Sequence, residues 1–224
     1  MNQITILSFF CILFFGNLEA QEESLSQRSA PVYSQDFSSK KALNDFAFTD
    51  DAAWKLSDFD NNNRLELITQ SNYQPPVRSP HNIAILQDIE LENFILEVEL
   101  AQTGREYNHR DLCLFFGIVD SSHFYYVHLA SVADDHANNI FLVNNNPRVK
   151  IASKTTEGTK WGATHSVHKV RIKRNINSGS IQVYFDDFEQ PIMEATDFHF
   201  KKGRIGLGSF DDTGWFDNLR IWRF

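Results

Sequence analysis

Between His109 and Lys150 the chain concentrates residue types that can move protons and hold anions. Four of the eight histidines fall there (His109, His123, His128, His136), with Arg110, Arg148, Lys150, the tyrosines Tyr125 and Tyr126, and the amide Asn139. Histidine titrates near neutral pH without special tuning. A tyrosine hydroxyl can transfer a proton when it is held beside a reacting atom. Such an inventory suits β-elimination on a uronate-bearing polymer. One group must neutralise the carboxylate at carbon 6, a base must take the proton at carbon 5, and an acid must protonate the leaving oxygen. Tyr126 and His128 fit the proton transfers, and His109 or Arg110 fits the neutralising role. His123, His136, Asn139, Arg148 and Lys150 are then candidate contacts to the polymer. Arg148 and Lys150 suit a sulfate as well as a carboxylate.

Strand parity must position these groups. In His123-Phe-Tyr-Tyr-Val-His-Leu-Ala130, Tyr125, Val127 and Leu129 share one face, and Phe124, Tyr126 and His128 the other. In Asp111-Leu-Cys-Leu-Phe-Phe-Gly117, Leu112, Leu114 and Phe116 have the apolar parity, leaving Asp111, Cys113 and Phe115 opposite with His109. The aliphatic sets predict a core between two sheets, and the second sets predict a groove face. Aromatic and histidine residues are ordinary on such strands, so a structural or sugar-contacting role stands beside the catalytic one. His168 shares parity with Val170 and Ile172 and is expected in the core; His81, His165 and His199 sit near turns and are expected in solvent. Cys113 reads as a small buried residue.

The rest of the chain has the same period of two. Phe94 to Leu100, Lys169 to Lys173 and Ile181 to Asp186 alternate apolar and polar, as strands with one buried face do. Turn clusters such as Asn61-Asn62-Asn63, Asn144-Asn145-Asn146-Pro147 and Asn177-Ser178-Gly179 separate the runs. The spacing predicts about a dozen short strands, an all-β chain built as a jelly-roll β-sandwich of two antiparallel sheets. Leu112, Leu114, Val127, Leu129, Val170, Ile172, Val183 and Phe185 are its expected core.

At the amino terminus the apolar run Ile4 to Leu18 is too short to span a membrane and ends at Leu18-Glu19-Ala20. Residues 1–20 therefore read as a signal peptide cut after Ala20, residues 21–32 as a disordered polar leader, and residues 33–224 as one sandwich domain. The expectation is a secreted protein, extracellular or periplasmic, with no membrane span, and a monomer. Removing Glu19 with no basic residue shifts the formal charge from −8 to −7, which argues against nucleic acid as a partner and confines an anionic ligand to a local basic patch. Cys113 alone remains after the cut, so no internal disulfide forms. No cofactor is required, although Asp134-Asp135, Asp186-Asp187, Asp211-Asp212 or Asp217 could supply oxygens to a structural calcium ion.

The carboxyl-terminal third resembles the concanavalin-A-like lectin/glucanase superfamily. The residues that carry the resemblance are Trp161, His168-Lys-Val-Arg-Ile-Lys-Arg174, Gly179-Ser-Ile-Gln-Val-Tyr-Phe-Asp-Asp187, Gly203-Arg-Ile-Gly-Leu-Gly208 and Trp215-Phe-Asp-Asn-Leu-Arg-Ile221. The resemblance implies a jelly roll and a carbohydrate-related function. The Tyr126-x-His128 pair beside His109 and Arg110 is similar to the inventory of jelly-roll polysaccharide lyases. The expected function is thus cleavage of an anionic polysaccharide of ulvan or alginate type, with a non-catalytic carbohydrate-binding module as the alternative. A glycoside hydrolase would need an atypical carboxylate pair. The Glu-x-Asp-x-x-Glu strand motif of retaining glucanases is missing, and Glu97 and Glu99 have outer-face parity.

Overall fold

The computed structural model describes residues 30–59 and 61–224; the expected signal peptide and all but the last residues of the leader lie outside them. Sixteen strands are present among the described residues: β1 (Tyr33–Gln35), β2 (Phe46–Phe48), β3 (Trp54–Phe59), β4 (Asn62–Leu67), β5 (Asn82–Leu86), β6 (Phe94–Gln102), β7 (Asp111–Asp120) and β8 (His123–Ala130). The second half adds β9 (Asn139–Asn144), β10 (Val149–Lys150), β11 (Ala152–Thr155), β12 (His168–Asn175), β13 (Ser180–Phe185), β14 (Met193–Thr196), β15 (Arg204–Ser209) and β16 (Gly214–Arg223). The surplus over a dozen comes from pieces of two to four residues, such as β1, β2 and β10, too short for alternation to register.

The strands form two antiparallel sheets. The nine-stranded sheet runs β11-β14-β13-β12-β6-β16-β4-β3, with β1 also paired to β16. The seven-stranded sheet runs β10-β9-β8-β7-β15-β5-β2. Period-two residues fill the space between them. Leu112, Leu114, Val127, Leu129, Val170, Ile172, Val183 and Phe185 all belong to one interior cluster, each worth about 1.5–3 kcal/mol if fully buried. Register sorts the opposite faces as cleanly. Val170 and Ile172 face Val98 and Leu96 across β12 and β6, while Arg171 and Lys169 face Glu97 and Glu99 on the outside. Opposite charges directly across a ladder stabilise that register.

The glycine-rich strand β15 lies between β7 and β5. At Gly208 a Cβ would lie 1.8 Å from the Asn82 carbonyl oxygen, so only glycine lets β5 approach so closely. From β15 the chain passes through residues 210–213 into β16 of the other sheet. His168 is buried as expected, its ring held by the Asp186 carboxylate and the Trp161 carbonyl, each at 2.8 Å. No described helix is long and apolar enough to cross a membrane.

Candidate functional site

Ladder register brings the predicted residues of β7, β8 and β9 into rows on the outer face of the seven-stranded sheet. Cys113 pairs with His128 and His128 with Asn139; Phe115 pairs with Tyr126 and Tyr126 with Phe141. The parity is as expected, but the face is not an open groove. Tyr126 stacks on Phe115 and Phe141 with ring centres 5.7 and 5.1 Å apart. The Arg148 guanidinium lies over Phe141 and Phe210, at 4.8 and 4.2 Å, and donates to the Tyr126 hydroxyl at 2.7 Å. Residues 71–81 lie against this face: Arg148 N–H donates to the Arg78 carbonyl, His81 N–H donates to that of Phe210, and Val77 packs on the rings. Tyr126 is therefore fully buried and His128 only 4% exposed. Alternation identifies which residues share a face; it does not reveal what a distant segment lays over it.

Burial dictates the charge states. It lowers the His128 pKa to about 3, with Arg148 and His109 acting in the same direction and Asp134 against them. It raises Asp111 well above the carboxylate range, helped by the charge of Asp212. It raises the Cys113 thiol likewise, with Asp111 adding to the effect. Asp111, Cys113 and His128 bring ligand atoms within 4.8 Å of one another, yet the trio is poorly suited to a metal. Asn138 N–H donates to His128 Nδ1 at 3.3 Å, which leaves the ring proton on Nε2, facing Asp111 Oδ2 at 3.7 Å. A metal-bound imidazole instead donates through its second nitrogen.

The other predicted residues are distributed around this cluster. His109 is half-exposed and paired with Asp134 at 2.7 Å. Arg110 is buried and donates to the Gly162 carbonyl. His123 lies at the far end of β8 against Asp120, at 2.8 Å. His136 is exposed, its backbone N–H on Asp134. Asn139 is buried and accepts from Ala152 N–H at 3.2 Å, and Lys150 pairs with Asp135. The structure thus gathers Tyr126, His128 and Arg148, and places His109 near enough to act on His128 through its charge.

An open concavity exists on the other sheet. On the outer face of β12, β13, β14 and β11, beneath the loop 186–191, lies a cleft of about 400 Å³. Its walls carry Arg171, Lys173, Gln182, Tyr184, Glu194 and Lys154, with Phe188 reaching down from the loop. Arg171 is bonded to Glu97 at 2.6 and 2.9 Å and stacks under Phe188 at 4.0 Å. Lys154 pairs with Glu194 at 2.9 Å. A second hollow of about 130 Å³, lined by Glu97, Glu99 and Asn218, adjoins it across Phe188. The alternation gives only the shared polar parity of Arg171, Lys173, Gln182 and Tyr184; the concavity itself comes from the overhanging loop and has no local signal. A wider depression of about 940 Å³ runs beside residues 155–162. Its one indole, Trp161, is 2% exposed and bonded to the Leu129 carbonyl, so no ring face is offered there.

No family model matches the chain, and no curated protein does. Solved structures do. The carbohydrate binding module CBM66 from Bacillus subtilis is 16% identical, with a TM-score of 0.55 over 80% of this chain and 95% of that one. A galectin-like protein of unknown function from Bacillus subtilis is 13% identical, with a TM-score of 0.56 over 87% and 96%. The GH43 protein BlXynB from Bacillus licheniformis is 12% identical, with a TM-score of 0.56 over 85% of this chain and 39% of that one. At such identities the likeness concerns fold alone, and together with the two antiparallel sheets it makes this chain a jelly-roll β-sandwich of concanavalin-A-like fold.

Proposed function

We propose that this protein is a secreted carbohydrate-binding protein whose ligand is an anionic, uronate-bearing polysaccharide of ulvan or alginate type. The observation that carries the reading is the cleft on the nine-stranded sheet. It sets Lys173, together with Lys154 and Arg171 in their pairs with Glu194 and Glu97, around a ring and an amide on rigid strands, in a chain of net charge −8. Cations of this kind take carboxylate and sulfate, and a hollow that continues past Phe188 suits a polymer rather than a single sugar. Electrophoresis through gels containing alginate, ulvan or a neutral glucan tests it. Retardation by the anionic gels, weakened about tenfold or more in Lys173→Ala and Phe188→Ala, is the expected outcome. Equal retardation by the neutral glucan, or variants that behave as wild type, would overturn it.

A finer reading is β-elimination of that polymer by Tyr126 and His128, with His109 or Arg110 at the carboxylate and His123, His136, Asn139, Arg148 and Lys150 as contacts. What favours it is the Arg148–Tyr126 hydrogen bond beside a neutral imidazole. What it requires is displacement of the rings and of segment 71–81, since both proton-transfer groups are covered. Following the absorbance of the unsaturated product over a panel of uronate polysaccharides separates the readings. No rise with binding retained leaves the binding function alone.

A further inference from the structure

Three carboxylates converge where the chain crosses between the sheets. Asp111 opens β7, and Asp211 and Asp212 form the turn between β15 and β16. Their oxygens lie within 4.8 Å of one another. Asp111 is wholly buried. Its Oδ2 accepts from Phe210 N–H at 2.8 Å and from the Cys113 thiol at 3.0 Å, but its Oδ1 has no partner. Asp212 Oδ2 accepts from the Tyr107 hydroxyl at 2.6 Å and from Asp111 N–H at 2.9 Å. Among the described residues no Lys or Arg lies within ion-pair distance of any of the three. The pKa of Asp111 is raised by burial and by the charges of Asp212 and Asp211, and that of Asp212 by burial and by Asp211. A fully buried carboxylate oxygen without a partner, facing like charges, is a costly arrangement.

We propose that Asp111, Asp211 and Asp212 hold a hard divalent cation, calcium by preference, which ties the turn 210–213 to the head of β7. Calcium takes oxygen ligands at about 2.3–2.6 Å, so oxygens on opposite sides of the ion lie about 5 Å apart, matching the spread of these atoms. Magnesium demands a tighter octahedron at about 2.0–2.1 Å. A thiophilic ion would need Cys113 and His128, whose polar atoms are already arranged without it. Asp211 is exposed, so water can complete the shell. The ion would also fix Phe210, one residue before the turn acids, over the Arg148 guanidinium and the His128 ring.

The test uses full-length mature protein stripped with chelator and dialysed, then titrated with calcium chloride. Melting temperature, heat of binding and terbium luminescence sensitised by nearby aromatic rings are read in parallel. Calcium at 1 mM should raise the melting temperature by about 3–5 °C, and terbium should be displaced by calcium. Asp211→Asn, a change at an exposed position, should abolish the rise while leaving the chelated protein's melting temperature within about 2 °C of wild type. No heat, no luminescence and no shift with wild type would overturn the proposal, leaving Asp111 and Asp212 to share a proton instead. So would a full calcium response in Asp211→Asn.

Discussion

Asn138 N–H donates to Nδ1 of His128, and this one contact fixes the imidazole as the tautomer whose proton, on Nε2, faces Asp111. Nδ1 is thereby committed to a backbone amide, while the Nε2 proton points towards a buried carboxyl group 3.7 Å away, beyond hydrogen-bond length. Neutrality is enforced chiefly by burial, with Arg148 and His109 also disfavouring the imidazolium and Asp134 opposing them weakly. For His128 to act as a base, the Asn138 contact has to break first.

The stability of the fold should follow from that neutrality. His128 has a pKa near 3 in the folded state and about 6.5 unfolded. Below about pH 6.5 the unfolded chain binds the extra proton, so stability falls as pH drops from 6.5 towards 3 and is unaffected by this group above 6.5. Each unit in that window costs up to about 1.4 kcal/mol. Asp111, whose pKa is raised, contributes in the opposite sense, so the comparison must be with a variant that keeps it. Urea denaturation at pH 7 and pH 5 should show wild type losing more stability than His128→Gln, by at least about 1.5 kcal/mol. Equal losses would mean that the ring is charged, or solvated, in the folded protein.

Arg174 shows how a strand residue of the wrong type can hold core parity. It follows Val170 and Ile172 inward on β12 at 2% exposure, and its guanidinium donates to the carbonyls of Gly179, Asp197 and Phe200 at 2.6, 2.9 and 3.3 Å. Arg174→Met keeps the volume but strands the Asp197 and Phe200 carbonyls, whereas that of Gly179 keeps the Asp197 N–H, and it should cost at least about 2 kcal/mol in denaturant unfolding. Arg174→Lys, with a single ammonium and no fork, should recover only part of that.

Side-chain direction was legible in the sequence, and side-chain environment was not. Tyr126 and His128 have the same alternation they would have on an open groove, because a period of two depends only on the local backbone. The cover comes from residues 71–81 and from Phe210, which are remote in sequence; the Arg148–Arg78 and His81–Phe210 backbone bonds that hold it follow no local rule. Aromatic residues suit a sugar platform and a second apolar cluster equally well, so composition could not decide. The cleft beside Arg171 and Lys173 was hidden for the opposite reason. Its residues look like an ordinary solvated strand face, and only the overhanging loop with Phe188 turns them into a concavity.

The parity itself can be tested by contrast. Val127 is wholly buried between the sheets, whereas Val119, near the end of β7, is 55% exposed. Val127→Asp places an unpaired charge in the core and should abolish native circular dichroism. Val119→Asp makes the same chemical change in solvent and should shift stability by no more than about 0.5 kcal/mol. Two folded variants with similar melting temperatures would invalidate the two-sheet assignment of β8.

Tyr126→Phe separates binding from chemistry. The change keeps the ring that stacks on Phe115 and Phe141 and removes only the hydroxyl that accepts from Arg148. Burial pushes the phenol well above its usual range, so the hydroxyl keeps its proton at neutral pH and could act only as an acid or by relay. If it protonates the leaving oxygen of a uronate polymer, turnover should fall by about 100-fold or more in the variant. Retardation in alginate or ulvan gels should be unchanged, because the proposed cleft lies on the other sheet. Loss of gel retardation in Tyr126→Phe would move the binding surface to the seven-stranded sheet. Full turnover in both Tyr126→Phe and His128→Ala would remove this pair from the chemistry and leave His109 and His123 as the groups to test.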